Sequence, residues 1–258
     1  MGKGARIVKR CIKSNCGREA LQAFVAVNPS STWEQFRNND PEGYRRVREA
    51  LCADQHNLCA YCEIKLTEQN RQIAHFHPKS DYSTTHDWAF DWENLWLACK
   101  GGTQTWDSNQ HHFLPPLSHN RSCDEFKGDK TLDGAVFSPS ELPAFPRLFK
   151  FEQYADHISI RVDEEQCQIA GIDVDKVQRT IDEFNLNCTR LSQARLAVHR
   201  EIENAVKKLR NTNVDQRRAY SHLVQKHLSS PWSQFFTMIR WRFNTIAEDH
   251  LHAIGYEG

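Results

Sequence analysis

The spacing of four cysteines constrains the fold of this chain more than any other feature. They occur as a close pair and two single residues, at Cys59, Cys62, Cys99 and Cys123. Two cysteines separated by two residues suit a tight turn that presents both sulfurs to one ion, and zinc takes four ligands in a tetrahedron. We therefore predict a structural zinc site that joins distant parts of this segment.

Other interpretations of these cysteines stay open. They could be unrelated buried thiols. A redox pair is disfavoured because no strand–CxxC–helix pattern of the thioredoxin type surrounds the close pair. The fourth zinc ligand is also open, because a long polar segment separates the two single cysteines. That segment contains three histidines that could replace a sulfur: His111, His112 and His119.

Residues with a capacity for catalysis lie between the cysteines. His75 is followed by Pro78, and proline cannot continue a strand, so this histidine is predicted to stand at the start of a loop. There it could act as a general base near neutral pH. Asn94 begins a second apolar run, where its amide could brace that loop. Asp124 begins a predicted helix, and its carboxylate could bind a hard cation such as Mg²⁺.

In this order the residues resemble the HNH endonuclease family, whose ββα-metal fold is often clamped by four zinc-binding cysteines. Within it the sequence is most similar to the HNH subunit of Septu-type and retron-associated antiphage systems, the PtuB-like proteins. The resemblance rests on LCAYCE at 58–63, HFHPKS at 75–80, WENL at 92–95 followed by Cys99, and CDEFKG at 123–128.

The resemblance implies a role for each residue of the motif. His75 would be the base that activates water, and Asn94 would be the middle residue of the motif. Asp124 would take the last motif position and bind a catalytic Mg²⁺ or Mn²⁺. The four cysteines would hold the structural zinc, which takes no part in the chemistry.

Ala74 departs from the family pattern. The residue before the catalytic histidine is usually Asp or Glu and binds the catalytic metal, so a one-metal site here would lose half of its protein ligands. Three explanations are open: a deliberately inactivated variant, a naturally weak or inactive nuclease, or a substitute ligand such as His77 or a neighbouring acid. We favour the first, because the rest of the motif is intact.

The charge balance limits how the chain would bind nucleic acid. Its 258 residues carry 33 Lys and Arg against 33 Asp and Glu, so a strongly basic, autonomous nucleic-acid binder is not indicated. A basic face must be local, or a partner must bring the DNA. Three cations near the motif are candidates for contact with the scissile strand: Lys79, Arg121 and Lys127.

Cysteine usage and hydropathy favour a cytoplasmic protein. Nine cysteines without a signal peptide fit a reducing compartment and a metal site better than a disulfide framework. No apolar run approaches the roughly 20 residues that a membrane-spanning helix needs.

Periodicity predicts an α+β, mostly helical fold with a central zinc-stapled ββα-metal module. Residues 1–57 would form a solvated basic tail and helices that begin near Trp33, capped by Ser31 or Thr32, and at Pro41. The nuclease module would span 58–132, with an inserted loop at 100–122. A proline-containing linker at 133–147 would lead to a short hairpin and a helical bundle at 148–258. The bundle helices are predicted from Asp173, at 191–209, at 215–228 and at 232–252.

The functional hypothesis is metal-dependent hydrolysis of a phosphodiester, with DNA favoured, by the effector subunit of an antiphage complex. The resemblance implies a PtuA-like ATPase partner and, in retron systems, a reverse transcriptase with its RNA–DNA hybrid. The alternative is a non-catalytic zinc-containing interaction module that docks on the ATPase, which Ala74 supports. A zinc-ribbon transcription factor is weaker, because it leaves His75 and Asn94 without a role.

Overall fold

The computed structural model describes residues 9–103, 117–212 and 215–257, which form helices and two small sheets. The strands are β1 (Arg71–His75), β2 (Leu95–Cys99), β3 (Phe149–Gln153) and β4 (Ile158–Val162). The helices are α1 (Cys16–Val27), α2 (Trp33–Asn39), α3 (Pro41–Asp54), α4 (Asp124–Lys127), α5 (Glu164–Ala170), α6 (Val174–Glu183), α7 (Thr189–Arg210), α8 (Gln216–Leu228), α9 (Phe236–Phe243) and α10 (Thr245–Ala253). The predicted α+β, mostly helical class is confirmed. None of the described helices combines the length and the apolar character that a bilayer crossing requires.

The first sheet is the antiparallel pair β1–β2. Arg71 lies opposite Cys99, and His75 lies opposite Leu95. All five residues of β2 are buried, which is typical of a strand covered on both faces. The register therefore places the catalytic-motif histidine at one end of the sheet and a cysteine of the predicted zinc site at the other.

A buried glutamine anchors the segment before the close cysteine pair to β2. The Gln55 side chain accepts a hydrogen bond from the Leu97 amide at 2.7 Å and donates one to the Leu97 carbonyl at 2.7 Å. The Ala60 amide also donates to that carbonyl, at 3.0 Å. These bonds satisfy backbone groups at the edge of a buried strand, where an unpaired group would be costly. They hold the turn that contains Cys59 and Cys62 against the sheet.

Thr32 supplies the N-cap of α2. Its hydroxyl accepts from the Gln35 amide at 3.2 Å, and the Gln35 side chain accepts from the Thr32 amide at 2.8 Å, which completes a capping box. The open choice between Ser31 and Thr32 is thereby settled. The cap fixes the start of α2, from which Trp33 reaches the ring of His75.

Residues 9–15 of the predicted basic tail pack against the protein. Lys9 is buried, with its ammonium 3.9 Å from the centroid of the Trp232 ring. Lys13 places its ammonium 3.9 Å from the Trp96 ring centroid. The expectation of a solvated tail is wrong for this stretch, because lysine buries its methylene stem while its charge rests on an aromatic face.

The predicted linker also packs against the protein. Within 133–147, Val136, Phe137 and Leu142 are buried. The Phe137 amide donates to the Thr180 hydroxyl of α6 at 3.1 Å. Three prolines in a short stretch correctly predicted irregular backbone, but irregular backbone can still bury apolar side chains.

The C-terminal elements follow the periodicity with two differences. The hairpin β3–β4 and the cap of α6 by Asp173 are confirmed. The helix predicted at 232–252 is two helices, α9 and α10, which meet at Asn244. This residue has a φ of 44°, in the positive region that asparagine tolerates better than most residues. The short helix α5 was not predicted, because it spans only two turns.

We predict that Thr32→Ala lowers the free energy of unfolding by about 1 kcal/mol, the usual contribution of a threonine N-cap. Guanidinium chloride unfolding, followed by circular dichroism, measures this loss. Ser31→Ala is the matched control, because Ser31 makes no capping hydrogen bond among the described residues. Equal losses for the two variants would contradict the assignment of the cap.

Candidate functional site

Four buried cysteine sulfurs meet at one point. The distance is 3.9 Å between the Cys59 and Cys123 sulfurs, 3.7 Å between those of Cys62 and Cys99, and 3.8 Å between those of Cys99 and Cys123. All four sulfurs lie within 4.8 Å of one another. Sulfurs at the corners of a tetrahedron around zinc, with Zn–S bonds of about 2.3 Å, are separated by about 3.8 Å. The donor set and its spacing therefore fit zinc.

The position of the four cysteines decides whether a histidine is needed as the fourth zinc ligand. Four sulfurs already make a complete tetrahedral set, so no histidine is needed. His119 is exposed and lies outside the cluster. His111 and His112 lie outside the described residues.

Tight backbone turns bring the cysteines together. The close pair lies on a turn closed by hydrogen bonds from the Cys59 amide to the Ile64 carbonyl at 2.9 Å and from the Glu63 amide to the Cys59 carbonyl at 3.0 Å. After β2, Gly101 has a φ of 51° and accepts from the Ser122 amide at 3.0 Å. A Cβ atom on Gly101 would lie 2.3 Å from the Ser122 carbonyl oxygen, so this approach requires glycine. It delivers Cys123 to the cluster.

A buried arginine faces the cysteine cluster. Arg190 of α7 is 1% exposed, and its Nη2 donates to the Ser122 hydroxyl at 2.6 Å. That hydroxyl oxygen is 3.6 Å from the Cys123 sulfur. The other two guanidinium nitrogens, Nε and Nη1, have no hydrogen-bond partner among the described residues. An unpaired buried cation costs several kcal/mol, whereas four zinc-bound thiolates carry a net charge of −2. Arg190 would thus be paired with the negative charge of a zinc-bound cluster.

Burial raises the pKa of the Cys62 and Cys123 thiols well above the usual value. Without an ion these two sulfurs hold their protons, and the charge that would pair with Arg190 is incomplete. Metal binding must displace those protons, because thiolate is the ligand form of cysteine. A bound metal, its thiolates and the guanidinium would therefore form one electrostatic unit.

A second site lies in a cavity of about 390 Å³ beside β1, lined by Gln72, Ile73 and His75 of that strand. It is formed by α2, by β1 with the loop that follows it, and by α4. The structure brings His75 and Asp124 to the same cavity, although they are far apart in the sequence. The principal polar lining residues are Glu34, Arg37, Gln72, His75, Lys79, Asp124, Glu125 and Lys127.

The protonation state of His75 follows from its contacts. Its Nε2 lies 3.1 Å from the Ala89 carbonyl oxygen, which can only accept, so Nε2 carries the proton and Nδ1 holds the free lone pair. The Trp33 ring packs edge-on against the imidazole, at 4.7 Å between centroids. Burial lowers the pKa of His75 to about 4, so the ring is neutral at physiological pH. A neutral imidazole with one unprotonated nitrogen can accept a proton from water.

Asn94 braces the loop after β1, as its position in the sequence predicted. Its Oδ1 accepts from the His77 amide at 2.7 Å, and its Nδ2 donates to the carbonyls of His77 at 3.0 Å and Trp88 at 2.8 Å. The side chain is buried, so these bonds are not exchanged with water. They fix the backbone directly after His75.

Asp124 and the neighbouring Glu125 both accept hydrogen bonds from the side-chain amide of Gln72. The Nε2 of Gln72 donates to Asp124 Oδ2 and to Glu125 Oε1, at 3.2 Å in each case. Burial raises the pKa of Asp124 to about 6, and the charge of Glu125 acts in the same direction. The sequence reasoning named neither Gln72 nor Glu125. The strand pattern could have indicated Gln72 as a site residue. Alternate residues of a strand lie on the same face, so Gln72 shares a face with Ala74, the usual position of the metal-binding acid.

His77 does not line this cavity. Its Nδ1 lies 2.7 Å from Asp133 Oδ2, and its Nε2 lies 2.8 Å from Asp81 Oδ2. The ring stacks on Trp88, at 3.9 Å between centroids. Because both nitrogens already contact carboxylates, His77 ties the loop to the segment around Asp133, and a metal at Asp124 would find neither nitrogen free.

The three cations predicted to contact nucleic acid have different surroundings. Lys79 lines the cavity and forms an ion pair with Glu34. Lys127 also lines it, with its ammonium 4.0 Å from Asp124 Oδ1 and 2.8 Å from the Gly128 carbonyl. Arg121 is exposed and lies outside the cavity lining.

We predict that Arg190→Met weakens zinc binding about 10- to 100-fold, the range known for outer-sphere partners of metal ligands. Competition with a chromogenic chelator measures the affinity, and the absorption of the Co²⁺-substituted protein reports on the thiolates. Arg240→Met is the control, because Arg240 is also buried but pairs with Glu248. Zinc affinity and Co²⁺ spectra unchanged in Arg190→Met would contradict the proposed charge match.

Three known proteins are similar to this chain. The chain is 33% identical over 239 residues to a protein named as the HNH endonuclease of retron Ec83 from Escherichia coli, with 84% of this chain and 86% of that protein aligned. It is 28% identical over 134 residues to the Septu protein PtuB of Bacillus thuringiensis, with 45% of this chain and 51% of PtuB aligned. It is 31% identical over 81 residues to a protein named as the HNH endonuclease of retron Vc95 from Vibrio cholerae, with 31% of this chain and 40% of that protein aligned.

No family model matches the chain, and no solved structure matches it. The first of the three alignments, however, spans most of both proteins. The chain therefore belongs to the HNH endonuclease family, within its PtuB-like group.

Proposed function

We propose that this protein is the nuclease subunit of a retron- or Septu-type antiphage system and hydrolyses phosphodiester bonds of nucleic acid, with DNA as the favoured substrate. One observation carries the proposal. A neutral histidine with an unprotonated nitrogen lies in the same cavity as two carboxylates, Asp124 and Glu125. A base for water and oxygen ligands for a cation are the two requirements of metal-assisted phosphodiester hydrolysis.

In this mechanism His75 takes the proton from the attacking water through Nδ1. The Ala89 carbonyl holds the opposite nitrogen and fixes the tautomer. Asn94 keeps the loop in place and so positions the base. Lys127 lines the cavity and supplies positive charge next to the site of phosphate binding.

The catalytic metal would be Mg²⁺ or Mn²⁺, held by Asp124 with Glu125 as the neighbouring acid. These carboxylates supply the hard oxygen donors that such ions prefer. When bound, the ion stabilises negative charge on the phosphorus centre and the leaving 3′ oxygen. Glu125 fits the substitute-ligand explanation for Ala74 better than His77, whose ring nitrogens are both engaged.

The surroundings of Ala74 fit the explanation that this chain is an inactivated variant. It is 1% exposed and lies opposite Trp96 in the β1–β2 register. A glutamate there would bury a carboxylate, which is costly unless a cation pairs with it. An acid at position 74 would therefore be useful only in a metal-loaded site.

The second candidate function is a non-catalytic zinc module that docks on a PtuA-like ATPase, with a reverse transcriptase and its RNA–DNA hybrid as further partners in a retron system. Ala74 is the observation that favours it. The two functions are compatible, since a nuclease subunit can be held by an ATPase. Co-purification with a co-expressed ATPase tests docking separately from cleavage.

Nuclease activity is measured for the parent protein and for Ala74→Glu, each with and without His75→Ala. We expect Ala74→Glu to cleave nucleic acid faster in Mg²⁺ or Mn²⁺, and His75→Ala to reduce the rate by about 10²- to 10⁴-fold, as expected for loss of a general base. Mn²⁺ should also raise the melting temperature of Ala74→Glu more than that of the parent protein.

His157→Ala is the control for the histidine variant, because His157 lies on the exposed part of the β3–β4 hairpin. Cleavage by the parent protein that is lost on substitution of either His75 or Glu125 would assign the metal-ligand role to Glu125. If none of the variants cleaves single- or double-stranded DNA or RNA, the proposed activity is wrong and the docking function takes its place.

A pH prediction follows from the raised pKa of Asp124. Below about pH 6 its carboxylate is protonated, so a cation must displace that proton, and Mn²⁺ affinity should fall toward tenfold per pH unit. Above pH 6 the affinity should level off. His75 stays neutral throughout, since its pKa is near 4. Electron paramagnetic resonance of free Mn²⁺ from pH 5 to 8 tests this, with Asp124→Asn as the control that should abolish the dependence.

A further inference from the structure

The surface charge of this protein is unevenly distributed. Residues 207–218, at the turn between α7 and α8, contain five cations and one acid: Lys207, Lys208, Arg210, Arg217, Arg218 and Asp215. This stretch, the basic hairpin tip, therefore carries a net charge of +4. The whole chain has a formal net charge of zero, so the remainder carries −4. A local basic face was one of the two alternatives left by the neutral composition, and this stretch has the charge for it.

The five cations of the basic hairpin tip are free of counter-charges. All five are exposed, and none forms an ion pair among the described residues. Some exposed cations in other parts of the described chain are paired, as Arg45 is with Glu42 and Glu49, and Lys130 is with Glu183. Asp215, the single acid of the tip, caps α8 by accepting from the Arg218 amide at 3.2 Å.

Helix stability does not account for the two arginines of α8. Arg217 and Arg218 lie in its first turn, where positive charge opposes the helix macrodipole and costs a few tenths of a kcal/mol per residue. Basic residues in the last turn of α7 are favourable for that helix, but those in the first turn of α8 are not. The stability of α8 therefore gives no reason for these two arginines.

The form of the tip fits a phosphate backbone. Antiparallel α7 and α8 present the cations from packed helices, with Val206 and Ala219 buried behind them. Among the described residues of the tip, no large apolar side chain is exposed, so a hydrophobic docking surface is not indicated. At 1.5 Å per residue, Arg210 lies about 30 Å along α7 from Arg190, which separates the tip from the cysteine cluster.

We propose that the basic hairpin tip binds the phosphate backbone of nucleic acid outside the catalytic cavity, without reading its sequence. The proposal deepens the proposed nuclease function, on which it rests for the class of ligand. Long, exposed Lys and Arg side chains that displace counterions give binding that is strong at low salt and weak at high salt.

The test uses fluorescence anisotropy with a 25-base-pair DNA duplex and a 25-nucleotide single strand, from 50 to 300 mM salt. All proteins carry His75→Ala to prevent cleavage. The hairpin variant replaces the five tip cations with glutamine. The control variant replaces five exposed cations elsewhere, also two lysines and three arginines, with glutamine: Arg45, Arg46, Lys65, Lys130 and Arg161. Both variants change the net charge equally.

We expect the hairpin variant to bind at least tenfold more weakly at 100 mM salt, with a salt dependence shallower by about 3 to 4 in the log–log slope. The control variant should bind within about threefold of its parent. Equal binding by both variants would overturn the proposal, as would failure of the parent to bind either DNA. Tight binding to polyglutamate without binding to DNA would instead assign the tip to an acidic protein partner.

This outcome is separable from the nuclease test. Binding that depends on the tip, in a protein that never cleaves, would leave the tip proposal standing and remove the proposed activity. If cleavage depends on His75 but the DNA affinity does not depend on the tip cations, the nuclease activity stands and the tip proposal is wrong.

Discussion

The meeting of four buried cysteines beside a buried arginine is the constraint on which the account of this structure depends. The sulfurs come from the turn after α3, the end of β2 and the start of α4, and Arg190 comes from the first turn of α7. Zinc would join the three cysteine-bearing segments at one point and supply thiolate charge for the guanidinium of the fourth element. The C-terminal helices would then be coupled to the metal through Arg190.

The positions of the residues that line the candidate catalytic cavity depend on this cysteine cluster. Cys123 immediately precedes Asp124, so fixing the sulfur also fixes the carboxylate. Cys99 lies opposite Arg71 in the β1–β2 register, and the same register sets His75 at the far end of β1. The chemistry of the cavity is then local: a carbonyl selects the tautomer of His75, and burial keeps it neutral. The proposed zinc ligands and the proposed catalytic residues would have distinct roles, yet they lie on the same short backbone segments.

Much of this arrangement was predictable because its signals are local. A capping threonine, a His–Pro loop start and a close cysteine pair each express a constraint within a few residues, as Thr32 illustrates. The unpredicted features depend on partners distant in the chain. Lys9 is buried because its ammonium lies over an aromatic ring more than 200 residues away in the sequence. Gln72 belongs to the site because α4 packs beside β1 and brings Asp124 to its side-chain amide. The break at Asn244 depends on one backbone angle that periodicity does not encode.

Anomalous diffraction from a crystal soaked in Mn²⁺ tests the central claim most directly. Data collected at the zinc and manganese absorption edges would locate both metals in one experiment. We predict a zinc peak among Cys59, Cys62, Cys99 and Cys123, and a separate manganese peak at Asp124 in the cavity that contains His75. A zinc peak without manganese in that cavity would contradict the catalytic assignment, and no zinc peak at the cysteines would contradict the charge match on which the fold depends.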